Sequence, residues 1–251
     1  MADSYLRVER VGAVLVVTMD RPEKKNAYDG PGLKAIGEAW AELDHDPDLR
    51  VGVITGAEGV FSAGADIAAA AGGGFDTPPY PEVAEGLADK PVLAAIEGAC
   101  LGGGMMIATG CDLRIAGETA EFGLPEARWN LPAQWLGALA RQVLPAHALE
   151  LALLADARLP AERLRQMGWL NAVVAEGAAL DRTVEWAERI ATMAPAAVRS
   201  FKELVRRAAW SPPADALALG HEQARRLVAM HDTVEGGRAF AERRAPEFED
   251  R

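Results

Sequence analysis

Two glycine-rich turns are the first residues in this sequence whose types and spacing suit chemistry. Residues 61–66 read Phe-Ser-Ala-Gly-Ala-Asp, and residues 102–104 are three consecutive glycines. A turn that ends a strand and begins a helix leaves backbone N–H groups without partners, and the helix dipole adds positive potential there. Such donors can bind negative charge that develops on a carbonyl oxygen. Taken alone, the first segment is more typical of an ordinary strand-to-helix turn, and the glycine triplet is as typical of close packing as of ligand binding.

A single carboxylate, that of Glu126, follows Pro125 in an otherwise apolar stretch. Burial would raise the pKa of this carboxyl group and suit it to proton transfer near neutral pH. Ser62 is a poor nucleophile candidate, because Val60 replaces the first glycine of the G-x-S-x-G elbow. The glycine triplet fits neither the dinucleotide-binding nor the P-loop pattern. The four histidines show no metal-ligand spacing, so no metal site is expected.

The elements that must position these residues alternate between strands and helices. Strands are predicted at residues 8–19 (divided by a turn at Gly12), 51–55, 91–98, 113–116, 121–122 and 172–174. Helices are predicted at 32–43, at 102–109, over most of the chain from 135 onward, and after 195 with breaks at 212–213 and 231–233. A short helix capped by Asp66 precedes a predicted loop at 68–81. This alternation indicates an α/β core.

The composition of the 251-residue chain is that of a globular protein, with a net charge of −11 and a pI near 4.9. An acidic surface opposes binding to nucleic acid phosphates and to anionic membranes. No apolar run reaches the ~18 residues of a membrane span. Cys100 and Cys111 lie in apolar surroundings and do not make a disulfide framework. No signal peptide is apparent, so a cytoplasmic location is expected.

In order and spacing, these segments resemble the crotonase superfamily, also called the enoyl-CoA hydratase/isomerase family. The resemblance spans residues 8–248. It rests on the two glycine turns and on Glu126, together with Asp20-Arg21-Pro22, Asn26-Ala27, Cys111-Asp112 and the segment at residues 235–246.

The resemblance implies an α/β fold: a crotonase-like spiral of ββα units with a C-terminal helical trimerisation region. Residues 1–194 would form the spiral core that binds acyl-CoA and carries out catalysis. Residues 195–251 would form the helical oligomerisation region. The implied assembly is a homo-oligomer, either a trimer or a dimer of trimers.

The resemblance also implies an acyl-CoA thioester as substrate, with coenzyme A as part of that substrate and no separate cofactor. At matching motif positions, the backbone N–H groups of Ala65 and Gly103 would bind the thioester oxygen, and Glu126 would transfer protons. The α-proton then becomes acidic and the β-carbon electrophilic. Further substrate contacts are expected from Ala63, Gly64, Asp66, Gly102, Met106, Trp129, Gln134 and Trp135.

Met106 stands where hydratases of this family carry a first glutamate, and Glu126 matches their second. One carboxylate is a weaker arrangement for adding water, but it suffices for moving a proton between carbons, as in the isomerase branch. Some hydratases of the family that act on aromatic substrates also use the second glutamate alone. Gln134 is a candidate to place an amide near the water site, and Trp129 and Trp135 are candidates to narrow the acyl pocket.

The sequence therefore predicts an acyl-CoA-processing enzyme of the enoyl-CoA hydratase/isomerase type, with a backbone oxyanion hole and one glutamate as acid and base. The alternatives left open are a single-glutamate enoyl-CoA isomerase, another enolate chemistry such as hydrolysis or decarboxylation, and a catalytically silent acyl-CoA-binding subunit. The candidate ligands for the CoA phosphates are Lys24, Lys25, Arg243 and Arg244.

Overall fold

A computed structural model describes residues 5–67 and 87–251. The strands are β1 (Leu6–Val11), β2 (Val14–Met19), β3 (Val51–Gly56), β4 (Val92–Ile96), β5 (Ala99–Leu101), β6 (Leu113–Gly117), β7 (Glu121–Gly123), β8 (Leu159–Pro160) and β9 (Ala172–Val174). The α-helices in these ranges are α1 (Gly30–His45), α2 (Gly103–Gly110), α3 (Leu136–Gln142), α4 (Pro145–Leu153), α5 (Ala161–Gln166), α6 (Ala179–Ala191), α7 (Pro195–Ala208), α8 (Pro213–Val228) and α9 (His231–Glu242). The loop predicted at 68–81 and the helix predicted after Asp66 lie outside the described residues.

Six strands form the main sheet, in the order β1-β2-β3-β4-β6-β9. β1 pairs with β2 antiparallel at one edge, and the other neighbours pair parallel. Helix α1 makes the crossover from β2 to β3, because two parallel neighbours require a long connection between them. The α/β core predicted from the sequence is therefore confirmed.

The two faces of the main sheet carry separate hydrophobic layers. In β2, Leu15 and Val17 join the layer that α1 covers, whereas Val14 and Val16 join the layer that α6 covers. Because side chains alternate along a strand, an uninterrupted apolar run means that both faces are buried. Full burial of each such side chain contributes roughly 1.5–3 kcal/mol. This two-sided burial fixes β2 in the interior of the sheet.

A smaller sheet, in the order β5-β7-β8, joins the two glycine turns to the carboxylate. β5 follows β4 after Gly98, which has a φ of +55°, and leads directly into α2. β7 pairs parallel with β5 and leads into the 3-10 turn Pro125–Trp129. An isolated bridge between Ser62 and Cys100 attaches the 61–66 turn to β5. The sequence does not predict β5 and β8, because strands of three and two residues show no recognisable alternation.

Helix α7 is attached to the core by an ion-pair cluster. Asp112 lies 2.9 Å from both Lys202 Nζ and Arg206 Nε, and these three side chains are largely buried. Lys202 Nζ also donates to the backbone oxygens of Ala88 and Lys90. The cluster holds the first C-terminal helix against the end of α2 and the start of β4.

The C-terminal helices follow the predicted order with one correction. The predicted break at 231–233 lies two residues earlier, because Met230 is extended (φ −83°, ψ 150°) and His231 already begins α9. A helix does begin at Pro195, but the division into regions 1–194 and 195–251 stays a prediction. No helix within residues 5–67 and 87–251 is long and apolar enough to cross a lipid bilayer.

Candidate active site

The 61–66 turn is held by hydrogen bonds that use the amides on both sides of Ala65. These bonds run from Ala63 N to Lys25 O (2.9 Å), from Gly64 N to Ser62 Oγ (3.0 Å) and from Asp66 N to Tyr28 O (2.8 Å). Within residues 5–67 and 87–251, Ala65 N has no acceptor. The turn therefore leaves one backbone donor available for a ligand.

The second turn places Gly103 at the first position of α2, where an amide has no partner inside the helix. Gly103 N has no acceptor in the described part of the chain, whereas Gly102 N donates to Gly123 O at 2.9 Å. Gly64 lies directly against this amide. A Cβ built on Gly64 would be 2.9 Å from Gly103 N, and Gly64 has a φ of +94°. Glycine at position 64 thus lets the two turns pack against each other.

Glu126 reaches the same place from the 3-10 turn that follows β7. A Cβ built on Gly102 would lie 2.9 Å from Glu126 Oε1, so the carboxylate rests directly against the glycine triplet. Glu126 Oε2 is buried and has no hydrogen-bond partner in the described residues. Burial raises the pKa of Glu126 above that of an ordinary glutamate, because the charged form loses hydration. The group is therefore suited to taking up and releasing a proton.

Gly102 is expected to be intolerant of a side chain. It has a φ of +50°, and an added Cβ would collide with Glu126. We expect Gly102→Ala to lower kcat at least tenfold, because the carboxylate must move. Gly12→Ala is the matched control, since Gly12 also has a positive φ (+57°) but has nothing within 4 Å of the new Cβ. The control should lose about 1–2 kcal/mol of stability through backbone strain and keep its kcat.

Equal kcat values for Gly102→Ala and the wild type, measured with the enoyl-CoA substrate that the resemblance implies, would contradict the importance of this contact. A similar loss of kcat in the Gly12→Ala control would show that backbone strain alone accounts for the loss in Gly102→Ala. Urea unfolding of both variants separates the two effects, because it measures how much free energy of unfolding each variant loses independently of catalysis.

The three groups open into one pocket. It is lined by Tyr28, Ala63, Ala65, Ile67, Gly102, Gly103, Met106, Pro125, Glu126, Leu131, Pro132 and Trp135. Seven of the residues singled out from the sequence are therefore brought together here: Ala63, Ala65, Gly102, Gly103, Met106, Glu126 and Trp135. Met106 and Trp135 are 1% and 6% exposed, so they form apolar walls beside the carboxylate.

Four residues predicted to contact the substrate do not line this pocket: Gly64, which packs between the two turns, Trp129, Gln134 and Asp66. Trp129 is 56% exposed and stacks against Arg128, and its contact with the acyl group stays a prediction. Its 3-10 turn directs Glu126 inward and Trp129 outward. Gln134 is exposed on the surface. Asp66 instead forms ion pairs with cations of the preceding segment.

The four cations predicted to hold the CoA phosphates fall into two groups. Lys24 Nζ lies 3.5 Å from Asp66, beside the first turn, and the backbone oxygen of Lys25 accepts a hydrogen bond within that turn. Arg243 and Arg244 follow α9, and Arg244 is held by ion pairs with two glutamates. Their phosphate contacts stay predictions.

Several residues that support the site could not be assigned a role from the sequence. Asn26 Nδ2 donates to Ala57 O at 3.0 Å and to Val60 O at 2.6 Å, which ties the segment before α1 to the end of β3. Ser62 Oγ donates to Asn26 O at 2.8 Å, so this hydroxyl is structural. Tyr28 lines the pocket itself. The Asn-Ala pair within the resemblance was the signal for this segment, but it did not reveal side-chain directions.

A roomier cavity of about 430 Å³ lies elsewhere, between α3 and α7. Its carboxylate, Asp112, is paired with Lys202 and Arg206, so that wall offers no group for proton transfer. Within residues 5–67 and 87–251, no cluster of three or more histidine, cysteine or acidic side chains is arranged to hold a metal ion. The geometry therefore favours the Glu126 pocket as the chemical site.

Fold and pocket together define an α/β protein with a buried carboxylate beside two glycine turns, and comparisons with known proteins identify its family. A family model described as enoyl-CoA hydratase/isomerase matches residues 9–251. The chain is 37% identical to the enoyl-CoA hydratase EchA19 of Mycobacterium tuberculosis, over 97% of this chain and 96% of the relative. It is 35% identical to the carnitinyl-CoA dehydratase of Salmonella typhi, over 98% of each chain.

Solved structures agree with the sequence relatives. An enoyl-CoA hydratase from Mycobacterium tuberculosis H37Rv matches with a TM-score of 0.91 at 33% identity, over 98% of this chain and 99% of that chain. The chain belongs to the enoyl-CoA hydratase/isomerase family, the crotonase superfamily, and it is an enzyme that acts on acyl-CoA. The predicted crotonase-like fold is confirmed, whereas the trimerisation role of the C-terminal helices stays a prediction.

Proposed function

We propose that this enzyme adds water reversibly to the double bond of a 2-enoyl-CoA, with Glu126 as both acid and base. The observation that carries the proposal is the buried Glu126 carboxylate resting against Gly102, in the pocket that Ala65 and Gly103 also line. Two relatives named for hydration and dehydration support the choice of reaction.

In this proposal the thioester oxygen accepts hydrogen bonds from Ala65 N and Gly103 N. Both hydrogen bonds become stronger as negative charge moves onto that oxygen, so the two amides stabilise the enolate more than the substrate. Loss of one such donor typically costs about 3 kcal/mol of transition-state stabilisation. Packing of Gly64 against the Gly103 amide supports a common target for both donors.

The proton route needs only one carboxylate. Glu126 accepts a proton from water while the water oxygen bonds to the β-carbon, and the double-bond electrons move through the α-carbon onto the thioester oxygen. Glu126 then returns the proton to the α-carbon as the enolate collapses. Dehydration is the reverse sequence. Burial raises the pKa of Glu126, which makes the carboxylate a stronger base toward water and lowers the free energy needed to protonate it between the two halves.

The reaction can be tested with purified protein in deuterated water. A short 2-enoyl-CoA should give a 3-hydroxyacyl-CoA that carries one deuterium on the α-carbon, detected by mass spectrometry. Unchanged 2-enoyl-CoA, with turnover of a 3-enoyl-CoA instead, would overturn hydration in favour of isomerisation. Tight binding of both esters without turnover would identify a silent binding subunit.

Isomerisation is the second candidate, and Met106 is the observation that favours it. A methionine side chain that is 1% exposed occupies the wall where a second carboxylate would help to activate water. In isomerisation, Glu126 would instead carry a proton from one carbon of a 3-enoyl-CoA to another. The thioester enolate and its two amide donors would be the same.

Met106→Glu distinguishes the two reactions. If hydration is the natural reaction, we expect the variant to change the hydration kcat by less than about tenfold, because Glu126 already supplies the acid and base. Met106→Gln is the matched control, since it has a similar shape without the charge. A rise in hydration far above tenfold in Met106→Glu alone would contradict the proposal and identify isomerisation as the natural reaction.

The proposal includes a homo-oligomer, either a trimer or a dimer of trimers. Large apolar side chains exposed on the C-terminal helices support it, because monomeric proteins rarely expose many of them: Phe201 (61% exposed), Val205 (72%) and Phe240 (89%). Sedimentation equilibrium measures the assembly directly, and a monomer at micromolar concentration would contradict it. The cytoplasmic location and the absence of a separate cofactor stay predictions.

A further inference from the structure

Tyr28 connects the two glycine turns through its main chain. Tyr28 N donates to Gly64 O at 3.0 Å, and Tyr28 O accepts from Asp66 N at 2.8 Å. These two bonds flank Ala65 and form an isolated parallel bridge between Tyr28 and Ala65. The main chain of Tyr28 therefore fixes the orientation of the Ala65 peptide.

The side chain of Tyr28 extends from there to the second turn. A Cβ built on Gly103 would lie 1.8 Å from the Tyr28 hydroxyl oxygen, 2.6 Å from Cζ and 3.0 Å from Cε1. The phenol thus fills the space in which a side chain at Gly103 would stand. Tyr28 is only 5% exposed and lines the pocket that contains Glu126.

We propose that Tyr28 is a positioning residue that sets the separation of Ala65 N and Gly103 N, an inference that rests on the proposed function. The start of α2 is made of glycines, whose backbone has more conformational freedom than that of any other residue. A buried ring that is anchored by its own backbone to the first turn restricts that freedom. The ring therefore aligns both donors on one thioester oxygen.

Variants of Tyr28 distinguish a positioning role of the aromatic ring from a direct action of the hydroxyl group on the substrate. Tyr28→Ala removes the ring, and we expect kcat to fall about 10- to 100-fold because the donors lose alignment, with KM changed less than threefold. Tyr28→Phe keeps the ring against Gly103 and should restore most of the lost kcat. If Tyr28→Phe is as impaired as Tyr28→Ala, the hydroxyl acts on the substrate and the positioning role is wrong.

A spectroscopic measurement reports alignment independently of turnover. An aryl-substituted 2-enoyl-CoA absorbs at longer wavelength when its thioester carbonyl is polarised, so its red shift on binding measures the two donors together. We expect the shift in the wild type and in Tyr28→Phe, and a much smaller shift in Tyr28→Ala. In each case the protein must be in sufficient excess for all of the ester to be bound.

The outcome also separates this inference from the function on which it rests. No red shift in the wild type would contradict the proposal that Ala65 N and Gly103 N together polarise the thioester carbonyl. A wild-type shift that persists fully in Tyr28→Ala would leave the donors in place and overturn only the role of Tyr28. Leu43→Ala, a buried change in α1 outside the pocket lining, controls for lost stability and should retain the shift.

A double variant tests the contact itself. Gly103→Ala should impair the enzyme because its new Cβ overlaps the phenol. The same change made in Tyr28→Ala should cost much less, since the space is then free and Gly103 has a negative φ that alanine accepts. Additive losses in kcat from the two changes would contradict direct coupling between the residues.

Discussion

Glu126→Gln is expected to lower kcat by about 10²- to 10⁴-fold, the range typical for loss of a general acid–base group. Glutamine keeps the shape of the side chain that rests against Gly102, but it cannot exchange a proton with water or with the α-carbon. KM should change little, because in the proposed mechanism the backbone amides of Ala65 and Gly103, rather than Glu126, bind the thioester. The loss of ultraviolet absorbance of a conjugated 2-enoyl-CoA measures the rate. Undiminished kcat would refute the role of Glu126.

The matched control is Glu118→Gln, which makes the same chemical change at an exposed glutamate outside the pocket. It should keep the wild-type kcat. A similar loss in both variants would point to a general effect on the protein rather than to the removal of an acid and base. Both variants should be compared at equal saturation with substrate.

Thermal unfolding checks whether Glu126→Gln is folded, and we expect its stability relative to the wild type to depend on pH with a definite sign. Burial raises the pKa of Glu126 in the folded protein, so the unfolded chain ionises first as the pH rises above the ordinary glutamate pKa, and the resulting cost to folding is complete above the folded-state pKa. Below the ordinary glutamate pKa of about 4.3, the group is protonated in both states and the cost vanishes. The variant should therefore be at least as stable as the wild type at neutral pH, with an advantage that shrinks toward acid pH.

Arg114→Met is expected to cause the largest loss of stability, about 3–5 kcal/mol. The guanidinium is buried (7% exposed) and stacks 5.0 Å from the ring centroid of Trp169. It donates to three backbone carbonyls: Trp169 O (2.7 Å), Ala108 O (3.1 Å) and Cys111 O (2.8 Å). Each buried carbonyl that loses its donor costs about 1–3 kcal/mol. Burial lowers the pKa of Arg114 to about 10, so the group remains charged at neutral pH.

Urea unfolding measures this effect, and Arg141→Met is its control. Arg141 is exposed and stacks 4.9 Å from the ring centroid of Trp210, a contact worth about 0.5–1 kcal/mol. A loss below 1 kcal/mol in Arg114→Met would show that water replaces the guanidinium at these carbonyls. Such a result would show that Arg114 contributes little to holding the end of α2 against the segment before β9.

Strands are predicted most reliably from the sequence when both of their faces are buried. The strand β2 was located correctly because its apolar run is buried on both faces, and the short strand β9 was located although its residues are only half-buried. The strands β5 and β8 were missed, since they are short and are held by pairing with β7 rather than by their own pattern. Their pairing partners lie far away along the chain.

The same limit applies to the site. The glycine turns and Glu126 could be found, because backbone donors and a lone carboxylate follow from residue type and spacing. Whether Trp129 or Trp135 faces the pocket depends on the turn between them, and only Trp135 does. The contact of Tyr28 with Gly103 joins residues 75 positions apart, and no local pattern encodes it.

The most direct test of the central claim is a crystal structure of the enzyme with a saturated, unreactive acyl-CoA. We expect the thioester oxygen to lie about 2.7–3.1 Å from both Ala65 N and Gly103 N, with the acyl chain beside Glu126. An oxygen that contacts only one of the amides, or an acyl group bound in the cavity between α3 and α7, would contradict the account.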